Sequence, residues 1–266
     1  MQPSGRSLLG IDRSRGGSIV TRARSLAPLR LLTPANPGRA AWVYQASLGG
    51  GFVGGDAVEL DVEVAAGARL FLTSQASSKV YRGAASRCQL DVTVGDGGVV
   101  VAWPDPIVCF AGATFDQRQR FRLARGAGLV AVDAWTAGRI AHGECWAFDR
   151  LALATEVELD GSPALAEAVV VSPAHGALAA RMGGALAFAT VVVAGEPFAA
   201  AAEVLERAIA ARPITAQPRV AASRWPWGAV VRVAAATTSE LAAALHALIG
   251  DVVREVLGAD PFTRKW

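Results

Sequence analysis

Turn signals recur about every ten residues through the first two-thirds of the chain, and this limits what the chain can fold into. They are RGG at 15–17, NPG at 36–38, a glycine-rich stretch at 49–55, AAGA at 65–68, GDGG at 95–98 and RGAG at 125–128. Between them lie β-rich runs such as RLFLTSQ, CQLDVTV, VVVAW and GLVAVDAW. AVELDVEV at 57–64 alternates Val58, Leu60, Val62 and Val64 with Glu59, Asp61 and Glu63, the period of a half-buried strand. RSRGGS at 13–18 reads as a hairpin turn between two strands. The fold class predicted is mainly β: stacked or solenoid-like sheets, antiparallel and mixed. No fixed-period repeat of residues is visible.

The last third changes character. AAAEVLERAIAAR at 200–212 has helical spacing and stops at Pro213. Strand-like sequence returns in PRVAASRWPWGAVVRVAAA. Thr237 and Glu240 then form a capping box ahead of an apolar stripe, Leu241, Leu245, Leu248, Ile249, Val252, Val253 and Val256. Gly258 suits the position after the helix, and Pro261 follows. No polar linker divides the chain. The expected organisation is one domain over 1–266, strand-rich to 198, helix–strand–helix over 199–258, with a short tail at 259–266.

Composition excludes several classes of function. The chain is 52% hydrophobic and 18% charged, with mean hydropathy +0.34, yet no charge-free run approaches the ~20 residues of a spanning helix. Little charge on an apolar chain suits a protein partly covered by others. A net charge of +3 argues against nucleic acid, and the alternating Arg118, Arg120 and Arg122 read as a solvated sheet face. The three cysteines, Cys88, Cys109 and Cys145, show no C-x-x-C spacing, which fits a reducing, cytoplasmic setting.

GGGFVGGD at 49–56 satisfies the letters of a dinucleotide-binding loop, but the segment after it is a strand, where a phosphate loop must open a helix. These glycines are read as shaping a tight crossing between strands that places Asp56 at an interior opening. No nucleophile elbow, P-loop or H-E-x-x-H occurs. His142, His175 and His246 would all have to converge to hold zinc. Ser78 and Lys79, being adjacent on an extended chain, point to opposite faces unless the chain bends. Asp56, Asp133 and Glu167 stand among apolar neighbours, where an ionised carboxylate must be paired or solvated. Facing bulk water and lining a water-filled internal passage are both consistent with that pattern.

Several of these segments, taken in order, resemble the urease accessory protein D family (UreD, also called UreH). They are GGFVGGD, an alternating strand ending in GAR, LTSQASSKVYR, WPDPIVCFAGATF and GRIAHGECWAF, with a closing RKW. The likeness is ordered over most of residues 20–180. It implies a non-enzymatic scaffold for urease maturation and nickel insertion, a chaperone-like accessory protein. Its implied partners are a helical UreF-like protein, through it a UreG-like GTPase, and apo-urease, with no tightly bound cofactor and only transient nickel. Positions matching the family's passage-associated polar residues are Asp56, Ser78, Asp133 and Glu167. Gly54, Gly55, Lys79, Tyr81, Arg82, Arg139, Gly143 and Glu144 match its motifs, where ion pairs holding strand ends are the alternative to metal contact. Two competing readings are a metal-dependent β-sandwich hydrolase using His142, Glu144 and a nearby carboxylate, and an interaction module with no metal role.

Overall fold

The computed structural model describes residues 5–35, 38–213 and 215–262. Two residues of the 36–38 turn and the closing RKW lie outside them. Strands β1 (Ser7–Ser14) and β2 (Gly17–Arg24) form the hairpin expected around RSRGGS, and β3 (Leu29–Leu32) pairs antiparallel with β4 (Ala41–Ser47). The chain then winds through β5 (Ala57–Val64), β6 (Arg69–Ser74), β7 (Ser78–Val80), β8 (Ser86–Val94), β9 (Val99–Ala102), β10 (Ile107–Cys109), β11 (Thr114–Leu123), β12 (Gly128–Thr136) and β13 (Arg150–Leu159). Strand β14 (Ser162–Val171) folds back on β13. The remainder is α1 (Leu178–Arg181), β15 (Ala187–Ala194), α2 (Ala199–Ala210), β16 (Arg219–Trp225), β17 (Gly228–Ala235) and α3 (Thr238–Leu257).

Two sheets result. The first runs β14-β13-β11-β8-β5-β1-β2, and the second β16-β17-β15-β12-β9-β6-β4-β3, with β10 beside β12 and β7 beside β10. From β4 to β13 the chain alternates between them, and the successive strands of each sheet are parallel. This is a solenoid-like winding flanked by antiparallel strands.

The winding has a period that the residues do not display. In the second sheet Trp42 faces Phe71, Phe71 faces Val101, and Val101 faces Val130, at separations of 29, 30 and 29 residues. In the first, Val58 faces Cys88 and Cys88 faces Gln117, at 30 and 29 residues, before a longer step of 36 to Leu153. What repeats is the chain length per coil and the inward alternation, so identical residues are not needed at matching positions. The turns AAGA, GDGG and RGAG stack on one another. The Gly67 N–H donates to the Asp96 carbonyl and the Gly97 N–H to that of Arg125, and Gly67, Gly97 and Gly126 all take φ near +65°. A side chain there would be strained in every coil.

The sheets differ in what covers them. The first packs its inner face on the second and leaves its outer face wet, so β5 and β13 alternate buried and half-exposed residues. Its outer face carries Arg118, Arg120 and Arg122. Arg120 pairs with Glu156 at 2.9 Å and Arg122 with Glu158 at 3.5 Å, in keeping with a solvated sheet face. The second sheet is covered on both sides. Leu205 and Ile209 of α2, and Leu241, Leu245, Ile249, Val253 and Leu257 of α3, pack on its outer face against Phe71, Val101, Val132 and Val191. Every residue of β12 is therefore buried, as a central strand of a doubly covered sheet must be.

Helix α3 begins as its sequence indicates. The Thr237 hydroxyl accepts from the Glu240 N–H at 3.1 Å, and the Glu240 carboxylate reaches back to the Ala236 N–H at 3.1 Å. Gly258 ends the helix at φ 70°, with its N–H on the Arg254 carbonyl. Thr237→Ala should cost about 1 kcal/mol by stranding a helix N–H. Calorimetry should show a fall in Tm of a few degrees, roughly 2–4 °C for a chain of this size. An unchanged Tm would mean the cap adds nothing to the packing of α3.

Candidate functional site

Between the sheets the facing side chains are apolar except at one level. On the first sheet that level holds Gln117 and Gln119 of β11, Thr155 of β13 and Glu167 of β14. Gln119 is in register with Thr155, and Thr155 with Glu167. On the second sheet it holds Asp133 of β12, Thr190 of β15 and Arg232 of β17, again in register with one another. Strand alternation explains the set: Leu129, Ala131 and Trp135 share the inward face of β12 with Asp133, while Val130 and Val132 face the helices.

Asp133 is the centre of this band. It is 8% exposed. Its Oδ1 accepts from Gln117 Nε2 at 2.6 Å and Gln119 Nε2 at 2.5 Å, and its Oδ2 from Thr155 Oγ1 at 2.9 Å. Among the described residues no cation pairs with it. Burial raises its carboxyl from the usual range to about 6, while the bonds from Thr155, Gln117 and Gln119 pull the other way. The carboxyl group is buried and held only by neutral donors. Cys88 faces Gln117 across the ladder, and its thiol is pushed up to about 12, first by burial and then by the charge of Asp133. It is thus a neutral thiol.

The band has two different ends. On one side Gln117, Gln119 and Cys88 line a cavity of about 80 Å³ together with Ser78, Ser74 and Gln45. On the other, Thr190 and Arg232 open onto a cleft of about 720 Å³ beside β16 and α2. There Arg232 grips the Glu167 carboxylate through Nε at 3.3 Å and Nη2 at 2.5 Å, bridging the sheets.

Three of the four polar residues singled out in the sequence, Ser78, Asp133 and Glu167, therefore lie along one inter-sheet layer. Asp56 stands apart, half-buried. Its carboxylate accepts from the Val53 N–H at 2.8 Å and closes the 53–56 turn. Val58, two residues further on, lines the cavity. The glycines do form a crossing: Phe52 N–H donates to Lys79 O at 2.7 Å, Tyr81 N–H to Phe52 O at 2.9 Å, and Gly55 N–H to Ala84 O at 3.0 Å. A Cβ on Gly54 would lie 2.9 Å from Ala84 N and 3.0 Å from Gly83 Cα, and Gly55 has φ +87°.

The other motif residues tie loops together. Ser78 lines the cavity whereas Lys79 is exposed on the opposite face, so the two do not form a dyad. Tyr81 packs edge-on to Phe110 at 4.9 Å, and the Arg139 guanidinium lies 4.3 Å above the same ring. Arg139 makes two bonds to Glu144, one of them from Nε at 2.9 Å, and Glu144 also accepts from the Ala111 N–H at 3.1 Å. Gly143, at φ 75°, turns the chain between them, and Arg82 is exposed nearby. Glu144 is thus held in a structural clamp with Arg139 and the Ala111 N–H. Among the described residues no group of three or more His, Cys, Asp or Glu is placed to hold a metal.

Gln117, Gln119, Thr155, Thr190 and Arg232 were not singled out from the sequence. A signal existed: in TFDQRQRF the glutamines share the parity of the core residues Phe115 and Phe121, opposite to the arginines.

The fold and this band define a solenoid-like β protein, without residue repeats, that carries polar side chains in the interior between its sheets. The UreD urease accessory protein family model matches residues 4–266. The chain is 45% identical to urease accessory protein UreD of Sorangium cellulosum (strain So ce56), over 99% of this chain and 85% of that protein. It is 42% identical to UreD of Anaeromyxobacter sp. (strain Fw109-5), over 98% and 89%. Urease accessory protein D of Oryza sativa subsp. indica is 36% identical over 60% of this chain and 55% of that protein. The chain belongs to the UreD family of urease accessory proteins.

Two outcomes are expected. Gly54→Val with Gly55→Val should abolish folding or partner binding; normal assembly of that variant would refute the crossing as a requirement. Asp133 holds its proton more tightly folded than unfolded, so its contribution favours the fold below the unfolded pKa of roughly 3.9. That contribution is lost as pH rises through about 6, a change of roughly 3 kcal/mol. Asp133→Asn should flatten this decline in urea melts run between about pH 4 and 7. Parallel profiles for the two proteins would remove Asp133 as its source.

Proposed function

We propose that this chain acts in urease maturation as the scaffold of an accessory complex that delivers nickel to apo-urease, and that the inter-sheet band is its internal metal path. Family membership supports the maturation role. The observation that carries the path is Asp133, a buried carboxyl group held by neutral donors with no cation paired to it among the described residues. A divalent cation is what such a site lacks.

The chemistry suits transit. The Gln117 and Gln119 amides rotate from presenting N–H₂ to presenting Oε1, so the same side chains that hold the empty carboxylate become oxygen ligands when a cation arrives. Thr155 and Ser78 supply further oxygens. An all-oxygen set binds a borderline metal weakly, and weak binding lets it leave. The neutral Cys88 thiol would have to lose a costly proton to trap the ion. At the far end Glu167 offers a ligand only when its pair with Arg232 opens, so the ion pair is the exit barrier. The chain itself performs no catalysis; nucleotide hydrolysis falls to a UreG-like GTPase joined through a UreF-like helical partner. No described helix is long and apolar enough to cross a membrane, and a cytoplasmic complex is the setting proposed.

The test is co-expression of the tagged chain with a UreF-like partner, a UreG-like GTPase and apo-urease. The wild type should co-elute as a defined complex. Asp133→Ala should leave that complex intact while urease activation falls by at least about tenfold, the scale expected when a group supporting a metal's environment is lost. Full activation with Asp133→Ala and Asp56→Ala combined would end the path reading while leaving the scaffold reading in place. Absence of any complex from the wild type would end the scaffold reading.

A further inference from the structure

The end of the sandwich where the β1–β2 hairpin meets the stacked turns carries a second polar cleft, far from Asp133 in the sequence and lined by none of the band residues. Its volume is about 370 Å³, toward the small end of ligand sites. Arg13 and Arg15 come from the hairpin, Arg39 from the segment before β4, and Arg69 from the start of β6, with Ser14 and Ser18 between them. No carboxylate lines it, and among the described residues none of the four arginines enters an ion pair.

Part of this charge has a structural use. Arg69 Nη1 donates to the Val256 carbonyl, Arg39 Nη2 to the Glu255 carbonyl at 3.3 Å, and the Arg39 N–H to the Leu257 carbonyl at 2.9 Å. These contacts cap the C-terminus of α3. A helix end, however, presents only about half a negative charge, and the Arg39 and Arg69 guanidinium groups already share it. Arg13 and Arg15 make no hydrogen bond among those described. The arginines also act on one another: Arg69 is held below the usual arginine range by burial and then by the charges of Arg39 and Arg13. Four cations gathered without an anion cost free energy unless a ligand supplies one.

We infer that this cleft binds a pyrophosphate group, free or carried by a nucleotide. Guanidinium forks match phosphate oxygens two at a time, and several forks converging from separate loops suit a ligand with several adjacent charged oxygens. Ser14 and Ser18 hold the cleft wall in shape, the Ser14 hydroxyl donating to the Gly17 carbonyl at 3.1 Å and the Ser18 hydroxyl oxygen accepting from the Arg69 N–H at 2.8 Å. The backbone is already shaped for close approach, because Gly16, Gly17, Gly67 and Gly97 place no side chains at its rim.

The experiment uses the full-length chain, with pyrophosphate and ATP as separate probes in calorimetric titration at constant ionic strength. Saturable binding of pyrophosphate is expected, weakened at least tenfold by Arg13→Ala with Arg15→Ala. That variant leaves the contacts of Arg39 and Arg69 with α3 in place, and its Tm without ligand should be unchanged. Arg15→Ala alone, at an exposed hairpin tip, should weaken binding in the same direction and guards against misfolding of the double variant. Tighter binding of ATP than of pyrophosphate would assign the nucleotide as the source, and equal or weaker binding the free anion. No saturable binding of either probe would overturn the inference. So would binding that both variants retain, or heat that sodium chloride reproduces by screening alone.

Discussion

Parallel strands cannot be joined by a two-residue turn, so a chain that stacks them must carry itself to the other sheet and back between each pair. Here that return is made by the superposed turns at 65–68, 95–98 and 124–127, whose backbone N–H groups bond from one coil to the next. Because each turn sits directly on its neighbour, each coil begins at the same height, and residues 29 or 30 apart come to lie side by side. The inter-sheet core, the burial of β12 and the alignment of polar residues on both sheets follow from this constraint. A slip of one residue in any coil would turn its apolar set outward and break the layer.

The same register makes the interior band more than a scattering of polar residues. Gln119, Thr155 and Glu167 fall on one level of the first sheet, and Asp133, Thr190 and Arg232 on the opposing level of the second. The bonds between the two rows join Gln119 and Thr155 to Asp133 and Arg232 to Glu167, while among the described residues no cation pairs with Asp133. A core selected only for stability would place a valine there, as at Val132 one residue earlier. Keeping the carboxylate has a cost at neutral pH.

Much of the fold was legible. The turn spacing, the alternation in AVELDVEV, the 199–210 and 238–257 helices and the cap at Thr237 all follow from local rules, because each is decided by residues within one element. The coil period was not legible, since it is a property of chain length between turns and leaves no residue signature. Of the polar interior, Ser78, Asp133 and Glu167 stood out through resemblance and through a carboxylate among valines. Their partners did not stand out. Gln117 and Gln119 sit in a run whose arginines dominate the eye, and Arg232 reads as an ordinary strand arginine until β17 is placed opposite β14. Glu144 illustrates the reverse case: its neighbour His142 suggested chemistry, and the geometry shows its carboxylate bonded to Arg139.

Helix α3 is the last described element to leave the ribosome, yet it covers Phe71 and Val101, which belong to the first coils. Its C-terminus is also fastened to residues near the start of the chain, through Arg39 and Arg69. Until it arrives, the part of the outer face of the second sheet that α2 does not cover is an exposed apolar surface, and the early coils lack their closing contact. The nascent chain must therefore persist as an incomplete, sticky intermediate for most of its synthesis. Until α3 docks, that face is the surface through which an incomplete chain is prone to aggregate.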